Sequence, residues 1–142
     1  MGIEHWNPWR FAAVHLPHVI IDTSHRLPRG VAGLWRGDRI WLCSTLDRAG
    51  RRSVLTHEVW HVRRGEVPPW ITEREERTVD DLASRDLIGL EQLIDGLRWS
   101  DQEAELAEVL DVDVHTVRCR LKNLTPDEMR LIERRVDWEG IA

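Results

Sequence analysis

The chain has 142 residues, of which 42% are apolar, and a formal net charge of −5. This length suits one domain with a core and room for a small appendage. No apolar run of about 18 residues occurs, which argues against a membrane-spanning helix and a membrane partner. There is no secretory-type N-terminus, and the two cysteines, Cys43 and Cys119, form no Cys-x-x-Cys pair. We therefore expect a reduced, cytoplasmic protein.

The two halves of the chain differ in charge. Residues 1–70 carry ten Lys or Arg and six Asp or Glu, a balance of +4. Residues 71–142 carry ten and nineteen, a balance of −9. An acidic second half argues against a phosphate-binding surface there, so DNA is an unlikely partner.

The first elements form a short helix and a small sheet. Asn7 and Pro8 are typical of an N-cap and the first residue of a helix, here ending near residue 15. Gly37 and Asp38 are typical of a hairpin turn. The predicted strands are residues 19–21, 31–35 and 39–43. We expect a mainly antiparallel N-terminal sheet.

Only helices are predicted after the sheet. Ser44 and Thr45 are candidate caps of the next helix, which ends near Gly65. Three capping boxes follow, beginning at Thr72, Ser100 and Thr125, each with a glutamate three residues later. The later helices are predicted near 73–88, 90–97, 101–110, 114–122 and 126–135. This order predicts an α+β fold, with one domain over residues 1–98 and a helical region over 99–142.

The helix before Gly65 carries the most informative motif. Residues 57–61 read His-Glu-Val-Trp-His, and a spacing of four puts His57 and His61 on one helix face. Two such imidazoles can bind one zinc ion, and Glu58, about 100° around the helix, can reach a water at that ion. The alternative is a solvated face with two histidines.

The opposite face of this helix argues for a metal site. Leu55, Val59 and Val62 lie roughly opposite the histidines and predict that the helix is anchored in a core. The two histidines then point towards a cleft or solvent.

A catalytic zinc usually has a third protein ligand. The nearby carboxylates are Glu66, Glu73, Glu75, Glu76 and Asp80. Glu75 is the expected capping partner of Thr72, whereas Glu76 faces inward and Asp80 follows one turn later. We favour Glu76 as the ligand and Asp80 as a residue that orients a metal-bound histidine. The alternative is that this run is only a charged helix surface.

Three segments of the chain resemble the ImmA/IrrE family of metallopeptidases. They are residues 33–42, 51–61 and 76–88. The resemblance covers about residues 18–122, and the His-Glu-x-x-His motif with its downstream glutamate is the most specific part. The family's usual Glu-Ala-Asn is Thr-Val-Asp at residues 78–80, and its Leu-Met-Pro is Leu-Ile-Gly at 87–89.

This resemblance implies a zincin-like fold and a function. It implies that His57, His61 and Glu76 bind zinc and that Glu58 is the catalytic carboxylate. Members are typical of phages, mobile elements and bacteria. They resemble regulatory proteases that cut a helix-turn-helix repressor, and many carry a helical tail.

The helical tail has a helix-turn-helix spacing at Ala107, Val112 and Val117, with Asp111 in place of the usual turn glycine. Residues 100–124 contain six acidic and three basic side chains, a balance of −3 that repels phosphates. We expect a helical cap that packs on the rest of the chain or recognises protein.

The leading hypothesis is a zinc endopeptidase that cleaves a protein regulator, such as a helix-turn-helix repressor. The alternative is a non-proteolytic, zinc-containing binding module that contacts a repressor or DNA. Glu58 favours the enzyme, because a structural zinc would not need it. Residues 39–43 are either an edge strand that binds an extended substrate or a central strand paired on both sides.

Overall fold

The computed structural model describes residues 5–136, and over that range the chain is α+β, as predicted. The described helices are α1 (Pro8–His15), α2 (Arg48–Arg64), α3 (Thr72–Leu87), α4 (Leu90–Trp99), α5 (Glu103–Leu110), α6 (Val114–Lys122) and α7 (Pro126–Arg135). The described strands are β1 (Ile20–Asp22), β2 (Gly33–Arg36) and β3 (Arg39–Leu42). No helix within residues 5–136 is long and apolar enough to cross a membrane.

The sheet is mixed, so the prediction of a mainly antiparallel sheet is wrong. Its order is β1-β3-β2, with β1 parallel to β3 and β2 antiparallel to β3. The parallel pairing arises because β2 does not pair with β1. The connection over residues 23–32 is long enough to leave a gap between these two strands, and β3 occupies that gap. The hairpin at Gly37, which has a φ of 57°, then folds β3 back between the other two strands.

Strand β3 is therefore paired on both sides. The hypothesis that residues 39–43 form an exposed edge is wrong, and the alternative of a central strand is confirmed. Ile40 and Leu42 are fully buried, as expected for apolar residues of a central strand.

Helix α2 packs on this sheet through its apolar face. Leu55 and Val59 are fully buried with Ile40 and Leu42, and Val62 packs against the same cluster, as predicted. The close approach of β2 depends on Gly33. A Cβ atom at Gly33 would lie 2.5 Å from Val54 Cγ1 and 3.1 Å from a Glu58 carboxylate oxygen.

The start of α2 differs from its prediction. Asp47 is the N-cap, and its carboxylate accepts the Gly50 N–H at 2.7 Å. Ser44 and Thr45 do not cap the helix, because the chain first makes a turn in which the Leu46 N–H bonds to the Cys43 carbonyl. Gly65 ends the helix as predicted.

Two of the three predicted capping boxes also differ. Helix α5 begins after Gln102, and the Ser100 hydroxyl accepts the Gln102 N–H instead of capping the helix. The predicted box at Thr125 and Glu128 is confirmed at the start of α7. The box predicted at Thr72 is also absent, because Thr72 already lies within the helix.

A second core cluster lies in the helical part of the chain. Its buried members are Leu87, Ile88, Leu93, Ile94, Leu97, Leu106, Ala107, Val112, Val117, Ile132 and Val136. The cluster thus draws on residues on both sides of position 99, where a boundary is expected from the sequence. Trp6, from the N-terminal segment, also packs against it.

Helices α5 and α6 are joined by the expected tight turn. Asp111 has a left-handed φ of 57°, a conformation that Asp tolerates better than most residues with a side chain. The turn is bonded to α2, because Arg52 donates to the Asp111 carbonyl at 2.8 Å and the Asp113 N–H donates to the Ser53 hydroxyl at 3.1 Å. The position of α6 is therefore fixed relative to α2.

A buried ion pair joins α6 to α7. Arg120 is only 3% exposed, and it donates to the Ile88 carbonyl and to Glu128 at 2.6 Å. Glu128 also accepts a hydrogen bond from Arg85 at 3.0 Å. Burial opposes ionisation of Glu128, but its bonds to Arg120, Thr125 and Arg85 outweigh that effect and hold its pKa at about 2.

Replacing Glu128 with Ala should lower the free energy of unfolding by roughly 3–5 kcal/mol, because a buried guanidinium would lose its counter-charge. Asp127→Ala is the matched control, since the neighbouring carboxylate is exposed and pairs only locally with Arg130. Urea unfolding of both variants measures the difference. Equal, small losses would contradict the role given to the Arg120–Glu128 pair.

Candidate metal centre

Three side chains from α2 and α3 converge on one point. His57 Nε2 lies 3.1 Å from His61 Nε2, and the Glu76 carboxylate lies 3.0 Å from His57 Nε2 and 2.9 Å from His61 Nε2. Tetrahedral zinc with nitrogen and oxygen ligands holds neighbouring ligand atoms about 3.3 Å apart. Two imidazoles and a carboxylate are also the ligand set of one type of catalytic zinc site. The trio therefore fits zinc in both spacing and chemistry.

Local structure explains this convergence. His57 and His61 lie one turn apart on α2, on the face that does not pack on the sheet. Glu76 and Asp80 lie one turn apart on α3, which packs along α2. The side chain of Glu76 is 46% exposed, so the trio is open to solvent on one side.

Asp80 lies directly behind His57. Its Oδ1 is 3.0 Å from His57 Nδ1 and 3.3 Å from His115 Nε2 on α6. A proton on His57 Nδ1 donated to Asp80 leaves Nε2 free to bind a metal, which is the arrangement that orients many metal-bound histidines. The structure thus brings together the four residues that the sequence singled out for metal binding and its support.

Without metal, the trio binds a proton, which is held by His57. Burial disfavours the charged form of His57, but hydrogen bonds with Asp80 and Glu76 outweigh burial and raise its pKa to about 10. Burial and the neighbouring charge of His57 lower the pKa of His61. The hydrogen bond from His57 keeps the pKa of Glu76 below its ordinary value. Metal binding must therefore displace a proton from His57.

Glu58 is placed differently from the ligands. Its side chain is buried between α2 and β2, against Gly33. Burial raises its pKa to about 7, although the charges of His57 and Arg36 act in the opposite direction. A carboxylate with a pKa near 7 is well matched to proton transfer at neutral pH.

Glu75 does not cap α3, so that prediction is wrong. The 3-10 turn Pro69–Ile71 runs directly into the helix, and Thr72 already has helical backbone angles instead of those of an N-cap. Glu75 instead pairs with Arg64 at the end of α2, at 2.8 Å. This pair ties α3 to α2 beside the trio.

Sequence reasoning missed three residues around the site. Arg36 contributes to the electrostatics of Glu58 from β2, and His115 contacts Asp80 from α6. Cys119 lies one turn after His115, with Sγ at 3.5 Å from His115 Nε2. The spacing of four between His115 and Cys119 was the available signal, since it repeats the spacing of the two motif histidines.

Two surface cavities flank Trp6, with volumes of about 850 and 1040 Å³. One also reaches Phe11 and Leu90, and the other reaches Arg48 and Trp99. Neither is lined by a member of the trio, so both cavities are separate from the candidate metal centre.

Comparison with known proteins gives no match to a family model, a curated protein or a solved structure. The functional proposals below therefore depend on the motif and on the geometry of the site.

Removing either histidine of the trio should abolish zinc binding at this centre. Glu76→Ala should weaken binding severely, whereas Asp80→Asn should weaken it by about 10–100-fold, because Asp80 only supports a ligand. Glu73→Ala, on the exposed side of the same helix turn, is the control and should leave the affinity unchanged. The zinc affinities of the five variants and of the unmodified chain are measured by competition with a chelator of known affinity.

A zinc content in both His57→Ala and His61→Ala equal to that of the unmodified chain would remove the site as described. Release of zinc by Glu75→Ala but not by Glu76→Ala would show that the wrong glutamate has been assigned.

Zinc binding at neutral pH should release about one proton from His57. The raised pKa means that His57 is protonated in the metal-free protein below about pH 10, so the apparent affinity falls as the pH is lowered. Calorimetric titrations of Cys119→Ser at one pH, in buffers of different ionisation enthalpy, measure the protons released at the trio, because this variant lacks the nearby thiol that can also bind zinc. A binding heat that is independent of the buffer would contradict the proposed state of His57.

Proposed function

We propose that this chain is a cytoplasmic zinc endopeptidase of zincin-like fold, similar in kind to the ImmA/IrrE metallopeptidases. Its substrate would be a protein regulator such as a helix-turn-helix repressor. The observation that carries the proposal is the convergence of Glu76 on His57 and His61, with Glu58 next to the first ligand. A purely structural zinc would not need Glu58 beside it.

The chemistry would use four side chains in distinct roles. His57, His61 and Glu76 would hold zinc, which supplies a Lewis acid that polarises the scissile carbonyl and makes water more acidic. Glu58 would take the proton from the attacking water and deliver it to the leaving amine. Asp80 would keep the proton of His57 on Nδ1, which leaves Nε2 as the ligand atom.

The raised pKa of Glu58 supports its role as proton carrier. A group that both accepts and donates a proton works best when its pKa is near the working pH. Burial against Gly33 keeps the carboxyl away from bulk water, which is the cause of the raised pKa.

Strand β2 offers a way to hold an extended substrate. The sheet order leaves β2 at an edge, and the Cys43 N–H bonds to the Ala32 carbonyl. By the alternation of an antiparallel pair, the backbone groups of Gly33 and Trp35 then point away from β3. A substrate strand that paired with them would lie beside Glu58. Such pairing requires an extended segment, so cleavage would fall in flexible or locally unfolded parts of the substrate.

A non-proteolytic binding module remains the second candidate. The helix-turn-helix arrangement of α5 and α6 favours it, because this surface could contact a repressor without any chemistry at the metal. The acidic balance of residues 100–124 favours protein over DNA as the contact.

Glu58→Gln should retain zinc and lose proteolysis, by about 100-fold or more, because the proton carrier is removed while the ligands stay. The assay is cleavage of a repressor encoded beside this chain and co-expressed with it, with zinc content measured on the same samples. Glu66→Gln, an exposed glutamate after the same helix, is the matched control. Cleavage by Glu58→Gln at the unmodified rate would exclude the mechanism, and repressor binding without cleavage by the unmodified chain would favour the binding module.

A further inference from the structure

A second group of metal-binding side chains lies behind the first. Oxygen, nitrogen and sulfur atoms of Asp80, His115 and Cys119 all lie within 4.8 Å of one another. His115 Nε2 is 3.3 Å from Asp80 Oδ1 and 3.5 Å from Cys119 Sγ. None of the three belongs to the ligand trio of the first centre.

The spacing suits a tetrahedral ion. Zinc with a nitrogen and an oxygen ligand holds these atoms about 3.3 Å apart, and with a nitrogen and a sulfur ligand about 3.6 Å apart, because the bond to sulfur is longer. Both separations measured from His115 match these values. A thiolate, an imidazole and a carboxylate together also favour zinc-like ions over magnesium or calcium.

The helices that carry these ligands are held in place. His115 and Cys119 lie one turn apart on α6, as His57 and His61 do on α2. The start of α6 is fixed by Asp113, whose carboxylate accepts the Thr116 N–H at 2.8 Å and whose N–H donates to Ser53 of α2. The three donors are thus positioned by packed helices and not by a loop.

We propose that Asp80, His115 and Cys119 form a second metal site, for zinc or a similar thiophilic divalent ion. Three protein ligands leave a fourth position for water or another donor. The side chain of His115 is 65% exposed, so ions can enter and leave from solvent. The second site is suited to reversible occupation that follows the supply of the metal.

The two sites share Asp80. An ion at the second site draws charge from the Asp80 carboxylate and weakens its hydrogen bond with His57 Nδ1. Occupation of the second site therefore lowers the affinity of the first, by up to the 10–100-fold that loss of such a partner costs. The effect is reciprocal. This linkage rests on the proposed first centre, whereas the second site itself does not.

Cobalt(II) distinguishes the two sites in the full chain. A cysteine ligand gives a near-ultraviolet thiolate-to-cobalt charge-transfer band, and the His57, His61 and Glu76 site has no sulfur. We expect the unmodified chain to show this band and to bind a second equivalent of cobalt. Cys119→Ser and His115→Ala should each lose both, while Cys43→Ser, which removes the other cysteine, should keep both.

The His57→Ala/His61→Ala double variant isolates the second site and should keep the charge-transfer band while losing one equivalent of cobalt. This readout is independent of proteolysis, so a failed cleavage assay leaves it interpretable. Thermal unfolding followed by circular dichroism checks that each variant is folded.

Absence of the band in the unmodified chain would overturn the second site and leave His115 and Asp80 as an ion pair only. Loss of the band in Cys43→Ser but not in Cys119→Ser would do the same. For the linkage, the first site of Cys119→Ser should bind cobalt at least several-fold more tightly than that of the unmodified chain with its second site filled. Equal affinities would overturn the linkage and leave two independent sites.

Discussion

The hydrogen bond between Asp80 and His57 is the contact on which the arrangement of the site depends. It fixes the orientation of the His57 ring, with Nδ1 towards Asp80 and Nε2 towards Glu76 and His61. Asp80 can accept a hydrogen bond from His57 only because α3 packs along α2, with Glu76 and Asp80 one turn apart. The contact that orders the candidate metal ligands is therefore also a contact between the two central helices.

The two faces of helix α2 lie in different environments. Its apolar face is sealed against the sheet by Leu55 and Val59, which are fully buried. Its other face keeps two imidazoles at a partly exposed surface, with side chains 23% and 16% exposed. A rigid attachment on one side allows the donors on the other side to hold their spacing without metal, which lowers the cost of ordering them when an ion binds.

The features that local pattern controls could be predicted from the sequence. The helix faces of α2, the hairpin at Gly37 and the capping box at Thr125 follow from spacing and turn chemistry, and all three are present in the structure. The pairing of β1 with β3 depended on how a ten-residue connection crosses the sheet, which no local pattern specifies. The partner of Glu75 was missed because a capping box and a salt bridge to Arg64 require the same residue type.

The contact between His115 and Asp80 could not be predicted from local pattern either. His115 lies 35 positions after Asp80 in the sequence, and only the packing of α6 beside α3 brings the two side chains together. That packing depends in turn on Arg52 and Ser53 of α2, which bond to the turn before α6. Such long-range contacts need the assembled helices before they can be recognised.

The absence of any side chain at Gly33 bears on how this sequence can diverge. A Cβ atom there would collide with Val54 Cγ1 at 2.5 Å and lie tightly against a Glu58 carboxylate oxygen at 3.1 Å, so a residue larger than glycine fits only if these side chains or α2 shift. Surface residues of a small domain can change almost freely over evolutionary time, but position 33 cannot change without disturbing Val54 and Glu58. A strand glycine ahead of the two-histidine helix is thus a mark by which distant relatives of this chain could be recognised after the rest of their sequences have drifted apart.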